Sequence, residues 1–374
     1  MPQAVRKHQL KKKEKKKTAN VKAIVTQAIL AASLSPQILE NPKAFTIGSA
    51  CSGWCSELFA CHRLQLPYIP VFACDINAHC KKVAQDTWGH AFWYDNCCSQ
   101  DFLDSPYVDV FLAGFPCQPW SRAGKGEGER DGKGRGSIVW FLICWIAAHL
   151  PRVFILENVK GILDPKHCEL FLQVLEELKK LKKDGRDAYY LSWRMLNALD
   201  YGTPQNRERV MICGIRSDDG AREMAWPPPV RVRKSIHGYI DSAIEGDTAF
   251  PGRLPTPRSE RRNVEQVLKK LQSQGRQPLQ SPFVIDIGGS KPHFSEGYSP
   301  CITHTRRGSG GHWLTWKQRK MTTVELIQLM DVPPASLQMS RVSPRQIGLM
   351  AGNAIPVKML SRVLLAALQS ANMA

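Results

Sequence analysis

No apolar run in this chain is long enough to cross a bilayer. The longest, from Ile138 to Leu150, falls short of the roughly 20 residues a spanning helix needs and reads as a buried helix. No apolar segment follows the polar, basic N-terminus, so no secretory signal is expected. Acidic residues are scarce: 33 Asp and Glu face 51 Lys and Arg, a formal net charge of +18. Such an excess asks for a polyanionic partner. Metal-ligand spacing is also missing. The 12 cysteines are scattered, and neither Cys97-Cys98 nor Cys51 with Cys55 makes a paired ligand pattern. We therefore expect free thiols in a reducing compartment, with no structural metal and no disulfide framework.

Part of the positive charge is a tail, Arg6 to Lys17, with lysines at 11, 12, 13, 15, 16 and 17. It reads either as a solubilising arm or as a nuclear-import or nucleic-acid tether. The tail would send a eukaryotic chain to the nucleus; otherwise the cytoplasm is expected. Residues 1–42 form this tail, with a weakly amphipathic helix from Val21 to Leu34.

With 374 residues the chain can build a large core and a second domain. Strand and helix then alternate. Strands are expected at Ala44–Ser49, Val71–Asp75, Val108–Ala113, Arg152–Leu156, Tyr189–Leu199 and Arg209–Ile215, and helices at Glu57–Leu64, Ile138–Leu150 and Leu170–Lys183. That order predicts an α/β fold, a doubly wound, mostly parallel sheet. Composition shifts near Ser217. From Trp226 to about Gln318 the chain is basic and rich in Pro and Gly, with one helix (Asn263–Gln272) and two candidate strands (Phe283–Ile287, Cys301–Thr305). We read 43–216 with 319–374 as one domain and 217–318 as a small, irregular second one. Helices return at Thr322–Met330 and Val357–Leu368.

Three strand ends carry the candidate chemistry. After the first strand, Ala50 to Ser56 is a turn of small residues leading into a helix, the arrangement that sets backbone amides against a nucleotide-like ligand. Asp75 ends the next strand about 20 residues on, where such folds grip ribose hydroxyls; its other reading is a cap for the helix beginning at Ala78. The run Val108–Ala113 breaks at Gly114 and enters Phe115-Pro116-Cys117-Gln118-Pro119-Trp120, holding a cysteine past a strand end on a turn stiffened by prolines. Most cysteines are buried and inert, so Cys117 alone is a weak candidate nucleophile. The glycine-rich stretch from Ser121 to Gly136 follows and reads as a lid. Glu157 stands at the next strand end, and Arg207 and Arg209 alternate along an extended segment, so that both can face one side.

Taken in order, Gly114-Phe115-Pro116-Cys117-Gln118, Glu157-Asn158-Val159, Gln205-Asn206-Arg207-Glu208-Arg209, Arg319-Lys320-Met321-Thr322 through Glu325 and Leu329, and Gly352-Asn353-Ala354 resemble the motifs of the cytosine carbon-5 methyltransferase family. The resemblance covers the chain from about Phe45 to Leu368. It implies a Rossmann-like class I methyltransferase domain with a small target-recognition domain, S-adenosyl-L-methionine as methyl donor, double-stranded DNA as partner, and a target base flipped from the duplex. It further implies Cys117 as nucleophile toward cytosine carbon 6 and Glu157 at ring nitrogen 3. Arg209 with Arg207 would lie at the cytosine pocket. Glu157 in a largely apolar pocket could then be protonated near neutral pH and serve as the acid. Ser52, Gly53, Trp54, Asp75, Asp101, Pro116 and Asn353 fall at positions lining the S-adenosyl-L-methionine site. No metal or membrane role is implied.

The first motif departs from the family's Phe-x-Gly-x-Gly-Gly: its phenylalanine position is Cys51 and its later glycines are Cys55 and Ser56. Two competing readings follow. One is the tRNA-methylating branch, suggested by Pro119, Cys301-Ile302-Thr303 and the short recognition segment. The other is a catalytically weak DNA-binding scaffold, suggested by the altered turn.

Overall fold

The computed structural model describes residues 44–116, 138–230, 235–240, 254–304 and 311–374. The basic tail, the expected helix at Val21–Leu34, Cys117 and the glycine-rich stretch lie outside the described residues. The chain forms two units, one of residues 1–196, 208–227 and 360–374, the other of 197–207 and 228–359.

The first unit is a seven-stranded sheet. Its strands are β1 (Phe45–Ala50), β2 (Tyr68–Cys74), β3 (Phe92–Tyr94), β4 (Val110–Gly114), β5 (Val153–Val159), β8 (Tyr189–Asn197) and β9 (Glu208–Arg216), in the order β3-β2-β1-β4-β5-β9-β8. The five from β3 to β5 run parallel, and β9 runs antiparallel to β5. The connecting helices include α1 (Ser56–Arg63), α2 (Ala78–Trp88), the single turn α3 (Gln100–Leu103), α4 (Ile138–His149) and α5 (Cys168–Lys179). β1, β4 and β5 are buried along most of their length, so they read as continuous apolar runs rather than alternating ones. Helix α4 is apolar all round because the core takes it in. Its Trp145 stacks on Phe111 of β4 with ring centroids 4.3 Å apart and donates from Nε1 to the Ser105 hydroxyl at 2.7 Å. Phe154 lies across Gly214 in β9, where an added Cβ would sit 2.1 Å from the ring.

The expected helix at Leu170–Lys183 stops at Lys179. Asp184 and Gly185 adopt left-handed backbone, φ 52° and 80°, and turn β6 (Lys182–Lys183) back onto β7 (Arg186–Asp187) as a small hairpin.

The second unit holds a four-stranded sheet ordered β11-β10-β12-β13, built from β10 (Phe283–Asp286), β11 (His293–Glu296), β12 (His312–Leu314) and β13 (Arg319–Lys320), every pair antiparallel. A short α6 (His237–Ile240) precedes α7 (Arg258–Ser273). Val264, Val267 and Leu271 of α7 bury against Phe283, Ile285, Ile287 and Trp313. The chain continues through α8 (Thr323–Gln328), α9 (Pro344–Asn353) and α10 (Val357–Ser370).

Residues 319–359, which composition groups with the first domain, fold with the second unit. The cause is local: Arg319 and Lys320 pair with β12, and the Met321 N–H donates to His312 O at 2.8 Å. The expected strand at Cys301–Thr305 does not form over its described part. Side chains take the place of a ladder there: the Ile302 N–H donates to Gln205 Oε1 at 3.1 Å, and its carbonyl accepts from Arg207 Nη1.

Candidate active site

The sheet order reverses between β1 and β4, whose outgoing chains leave toward opposite edges. In open α/β sheets that switch point is the ligand crevice. Ala50 pairs with Ala113, and Gly114 with Glu157, so the ends of β1, β4 and β5 come side by side. Three of the expected site segments therefore share one edge of the first unit.

The turn after β1 is held by its own small side chains. Ser52 donates its N–H and its hydroxyl to Cys74 O, at 3.0 and 3.1 Å, and its Oγ accepts from Cys74 N at 3.0 Å. The Gly53 N–H donates to Asp75 Oδ2 at 2.9 Å, and Asn77 N–H to Asp75 Oδ1 at 2.8 Å. Asp75 is thus fastened to the turn, while the capping role belongs to Asn77, whose side chain accepts from His79 N. Burial pushes the Asp75 carboxyl above the usual carboxylate range, against the lowering effect of the Asn77 and Gly53 amides.

Cys51, Gly53 and Cys55 all adopt left-handed backbone, with φ of 52°, 57° and 66°. Ser56, by contrast, is already helical at the start of α1. Trp54 is 1 % exposed, its indole N–H donating to Ser56 Oγ at 3.1 Å, so its ring is taken up by the core.

Chemically, this edge suits a nucleoside ligand. Space in front of Gly53 is open: an added Cβ would meet no atom within 4 Å. Each Asp75 oxygen keeps a second lone pair for a hydroxyl donor. Ile76 directly follows and is 83 % exposed, an aliphatic surface for a planar ring. Sequence reasoning passed over Ile76; an apolar residue between a strand-ending acid and an Asn cap was the available signal. Asp101 is exposed on α3, Pro116 is half-buried where β4 leaves for Cys117, and Asn353 is exposed in the second unit.

At the other end, Glu157 Oε1 and Arg209 Nε are 2.7 Å apart, each side chain 8 % exposed. The β5–β9 register sets this up, because Val159 pairs with Arg209 and Glu157 with Met211 on the adjacent strand. Arg209 also donates from Nη1 to Glu208 O at 2.7 Å. Asn158 anchors the neighbouring loop, donating from Nδ2 to Phe115 O at 3.4 Å. The Glu157 carboxyl therefore meets a cation, not the largely apolar pocket expected from sequence.

Arg207 does not work beside Arg209. Its guanidinium is fully buried in the second unit and donates to the carbonyls of Ile302, Gly352 and Ala354, the last two at 3.0 and 2.6 Å. The strand β9 begins only at Glu208, so the alternation that would put both arginines on one face does not extend back to Arg207. Gln205 joins the same brace, donating to Leu329 O at 2.8 Å. Gly352 is required there for space: an added Cβ would lie 2.3 Å from the His304 backbone nitrogen.

A mixed seven-stranded sheet flanked by helices, its order reversing between β1 and β4, is the Rossmann-like class I methyltransferase arrangement. The chain belongs to the C-5 cytosine-specific DNA methylase family, whose model matches residues 60–369. The Type II methyltransferase M.HgiCII of Herpetosiphon aurantiacus is 34% identical over 155 residues, 41% of this chain and 33% of that protein. M.DsaV of Dactylococcopsis salina is 28% identical over 186 residues, 49% of this chain and 50% of that one. These matches span only a third and a half of the relatives' length. M.HaeII of Haemophilus aegyptius is 28% identical over 272 residues, 72% of this chain and 77% of that protein. In fold the chain is similar to the S. pombe Dnmt2 methyltransferase, with a TM-score of 0.58 and 18% identity over 87% of this chain and 98% of that one. It is also similar to the Entamoeba histolytica methyltransferase EhMeth, with a TM-score of 0.58 and 14% identity over the same shares.

Proposed function

We propose that this chain transfers a methyl group from S-adenosyl-L-methionine to carbon 5 of cytosine in double-stranded DNA, through a covalent adduct of Cys117 to a flipped base. The observation that carries the reading is the buried Glu157–Arg209 pair, set by register beside Gly114, from which the chain runs through Phe115 and Pro116 to Cys117. Family membership makes DNA the favoured substrate.

Carbon 5 of cytosine is a poor nucleophile until a thiolate adds to carbon 6. Cys117 supplies that thiolate. Glu157 engages ring nitrogen 3, and Arg209 fixes the carboxyl's position through a charge-assisted hydrogen bond. Asp75 holds ribose hydroxyls, Gly53 leaves room for the backbone's approach, and Ile76 receives the adenine. When bound, S-adenosyl-L-methionine supplies the electrophilic methyl group.

The test is incubation with labelled S-adenosyl-L-methionine and duplex DNA carrying 5-fluorocytosine. Wild type is expected to form a covalent complex, and Cys117→Ser none. Methyl transfer by Cys117→Ser would remove the nucleophile assignment. Labelling of tRNA but not duplex DNA would move the substrate to RNA. Absence of any transfer, with DNA still bound, would favour a non-catalytic scaffold.

A further inference from the structure

Cys55 carries a side chain on left-handed backbone, φ 66° and ψ 62°, at the N-cap position of α1, and that side chain does not cap the helix. A residue with a Cβ stays in such backbone only where its surroundings over-determine it. Bonds inside the turn are part of the hold: the Cys55 N–H donates to Ser52 O at 2.8 Å, and the Leu58 N–H looks back to Cys55 O at 3.1 Å. With Leu58 bonded to Cys55, the Trp54 carbonyl takes a partner from outside the helix.

That partner comes from the far end of α2. Trp88, the last residue of the helix, donates from its indole Nε1 to Trp54 O at 3.2 Å. Its ring stands edge-on to Phe59 of α1 with centroids 4.6 Å apart, so the indole is held both to the turn and to the helix that follows it. Gly89 then adopts left-handed backbone, φ 62°, and its N–H closes α2 on Gln85 O at 3.1 Å. This is the usual glycine stop of a helix, and it reverses the chain. The next residue reaches the turn again: His90 Nε2 lies 3.7 Å from Cys55 Sγ, within range of a hydrogen bond to sulfur. Trp93 of β3 packs edge-on to the same imidazole, with centroids 6.3 Å apart. Burial lowers the His90 imidazole to about 4 and pushes the Cys55 thiol up, so near neutral pH the contact joins two uncharged groups.

We propose that Trp88 and His90 form a strap that holds the turn after β1 in its ligand-binding geometry, which makes both of them positioning residues for S-adenosyl-L-methionine. Trp88 acts through the Trp54 carbonyl and His90 through the Cys55 side chain; the role requires no contact between either residue and the ligand. Glycine at 55 would enter left-handed backbone unaided. Cysteine there opposes that backbone with its Cβ, and supplies the sulfur by which the α2–β3 connection ties it down. The effect on ligand affinity rests on the reading of this turn as the S-adenosyl-L-methionine site; the coupling of His90 to Cys55 does not.

The experiment titrates S-adenosyl-L-methionine by calorimetry, and unfolds by urea, the full chain as wild type, His90→Ala, Cys55→Gly and the double variant, with Trp88→Phe alongside. Trp88→Phe keeps a ring against Phe59 and removes the donor to Trp54 O, so binding is expected to weaken about tenfold. His90→Ala is expected to weaken binding about threefold when residue 55 is cysteine and to change nothing when it is glycine. A histidine that merely filled space would cost the same in both backgrounds. Where His90→Ala fails to fold, His90→Phe takes its place in the cycle, keeping a ring against Trp93 without the bonding nitrogen. Additive losses at 55 and 90, in binding and in urea alike, overturn the part given to His90. Trp88→Phe with wild-type affinity overturns the part given to Trp88. A wild type that binds no S-adenosyl-L-methionine, while 55 and 90 remain coupled in urea, overturns instead the reading of the turn as a cofactor site.

Discussion

Among the described residues of the first unit two glutamates are buried, one beyond β1 and one at the end of β5, and they are held in opposite ways. Glu57, 2 % exposed, meets Ser49, Cys55 and its own backbone N–H; burial pushes its carboxyl up to about 7. Glu157 meets the Arg209 guanidinium at 2.7 Å. Burial without a cation leaves a carboxyl that gains and loses its proton near neutral pH. Burial beside a cation makes a fixed pair whose geometry depends on both partners. The carboxyl beyond β1 is thus tuned by desolvation, and the one at the end of β5 by charge.

The largest expected effect comes from removing the cation. Arg209→Ala removes the cation that the buried Glu157 carboxyl meets, and breaking such a pair costs about 3–5 kcal/mol. A urea midpoint lowered at constant slope would show it, and Glu157→Ala added to Arg209→Ala should cost much less than the two losses summed. A strictly additive double variant would mean that the two groups do not depend on each other. Glu157→Gln keeps the shape without the charge and is expected to lower methyl transfer by about 10²–10⁴ in a labelled-donor assay, the usual range for a positioned acid or base.

Glu57 predicts the reverse dependence on pH. Its folded value lies above the unfolded one, so the folded state holds the proton more tightly. The stabilisation is fully present below about pH 4.5 and lost as pH rises through about 7. The loss is on the order of 3 kcal/mol at about 1.4 kcal/mol per pH unit. Glu57→Gln removes the titration, so its stability relative to wild type should rise between pH 5 and pH 8. A difference between the two proteins that does not change with pH would remove Glu57 from the account.

Much of the first unit is legible in the sequence because parallel strands buried on both faces are written as plain apolar runs. Val108–Ala113 and Arg152–Leu156 lie within a residue or three of the strands they predict. The second unit is harder to read. β11, His293–Glu296, carries no apolar alternation, and α9 opens on a Ser343 cap and a Pro at its first position inside a polar stretch. Cys301–Ile302 looks like a strand because its composition is apolar, yet its backbone is bonded by Gln205 and Arg207 from far away in sequence. For the same reason Arg207 reads as a pocket residue: residue type and spacing do not say which way a guanidinium turns.

The smallest effect separates the two departures in the first motif, which look alike in sequence. Cys55 has φ 66°, whereas Ser56 is helical. Only the first occupies backbone that glycine adopts without cost. Cys55→Gly alone would be ambiguous, because it relieves that strain but also empties a fully buried position. Comparing glycine with alanine at each site removes the ambiguity, since the two differ only by a Cβ. At 55 the Cβ is what opposes left-handed backbone, so Gly should be more stable than Ala by about 1 kcal/mol. At 56 the helix favours the Cβ, and Ala should be the more stable by about 0.5–1 kcal/mol. Chemical denaturation of the four single variants reads this reversal of sign directly. Calorimetry with S-adenosyl-L-methionine then asks whether ligand affinity follows: a preformed turn binds more tightly, so Cys55→Gly should exceed Cys55→Ala in affinity by up to about tenfold, the equivalent of about 1.4 kcal/mol. The same order of Gly and Ala at both positions would mean that backbone strain at Cys55 plays no part in how this turn departs from its family.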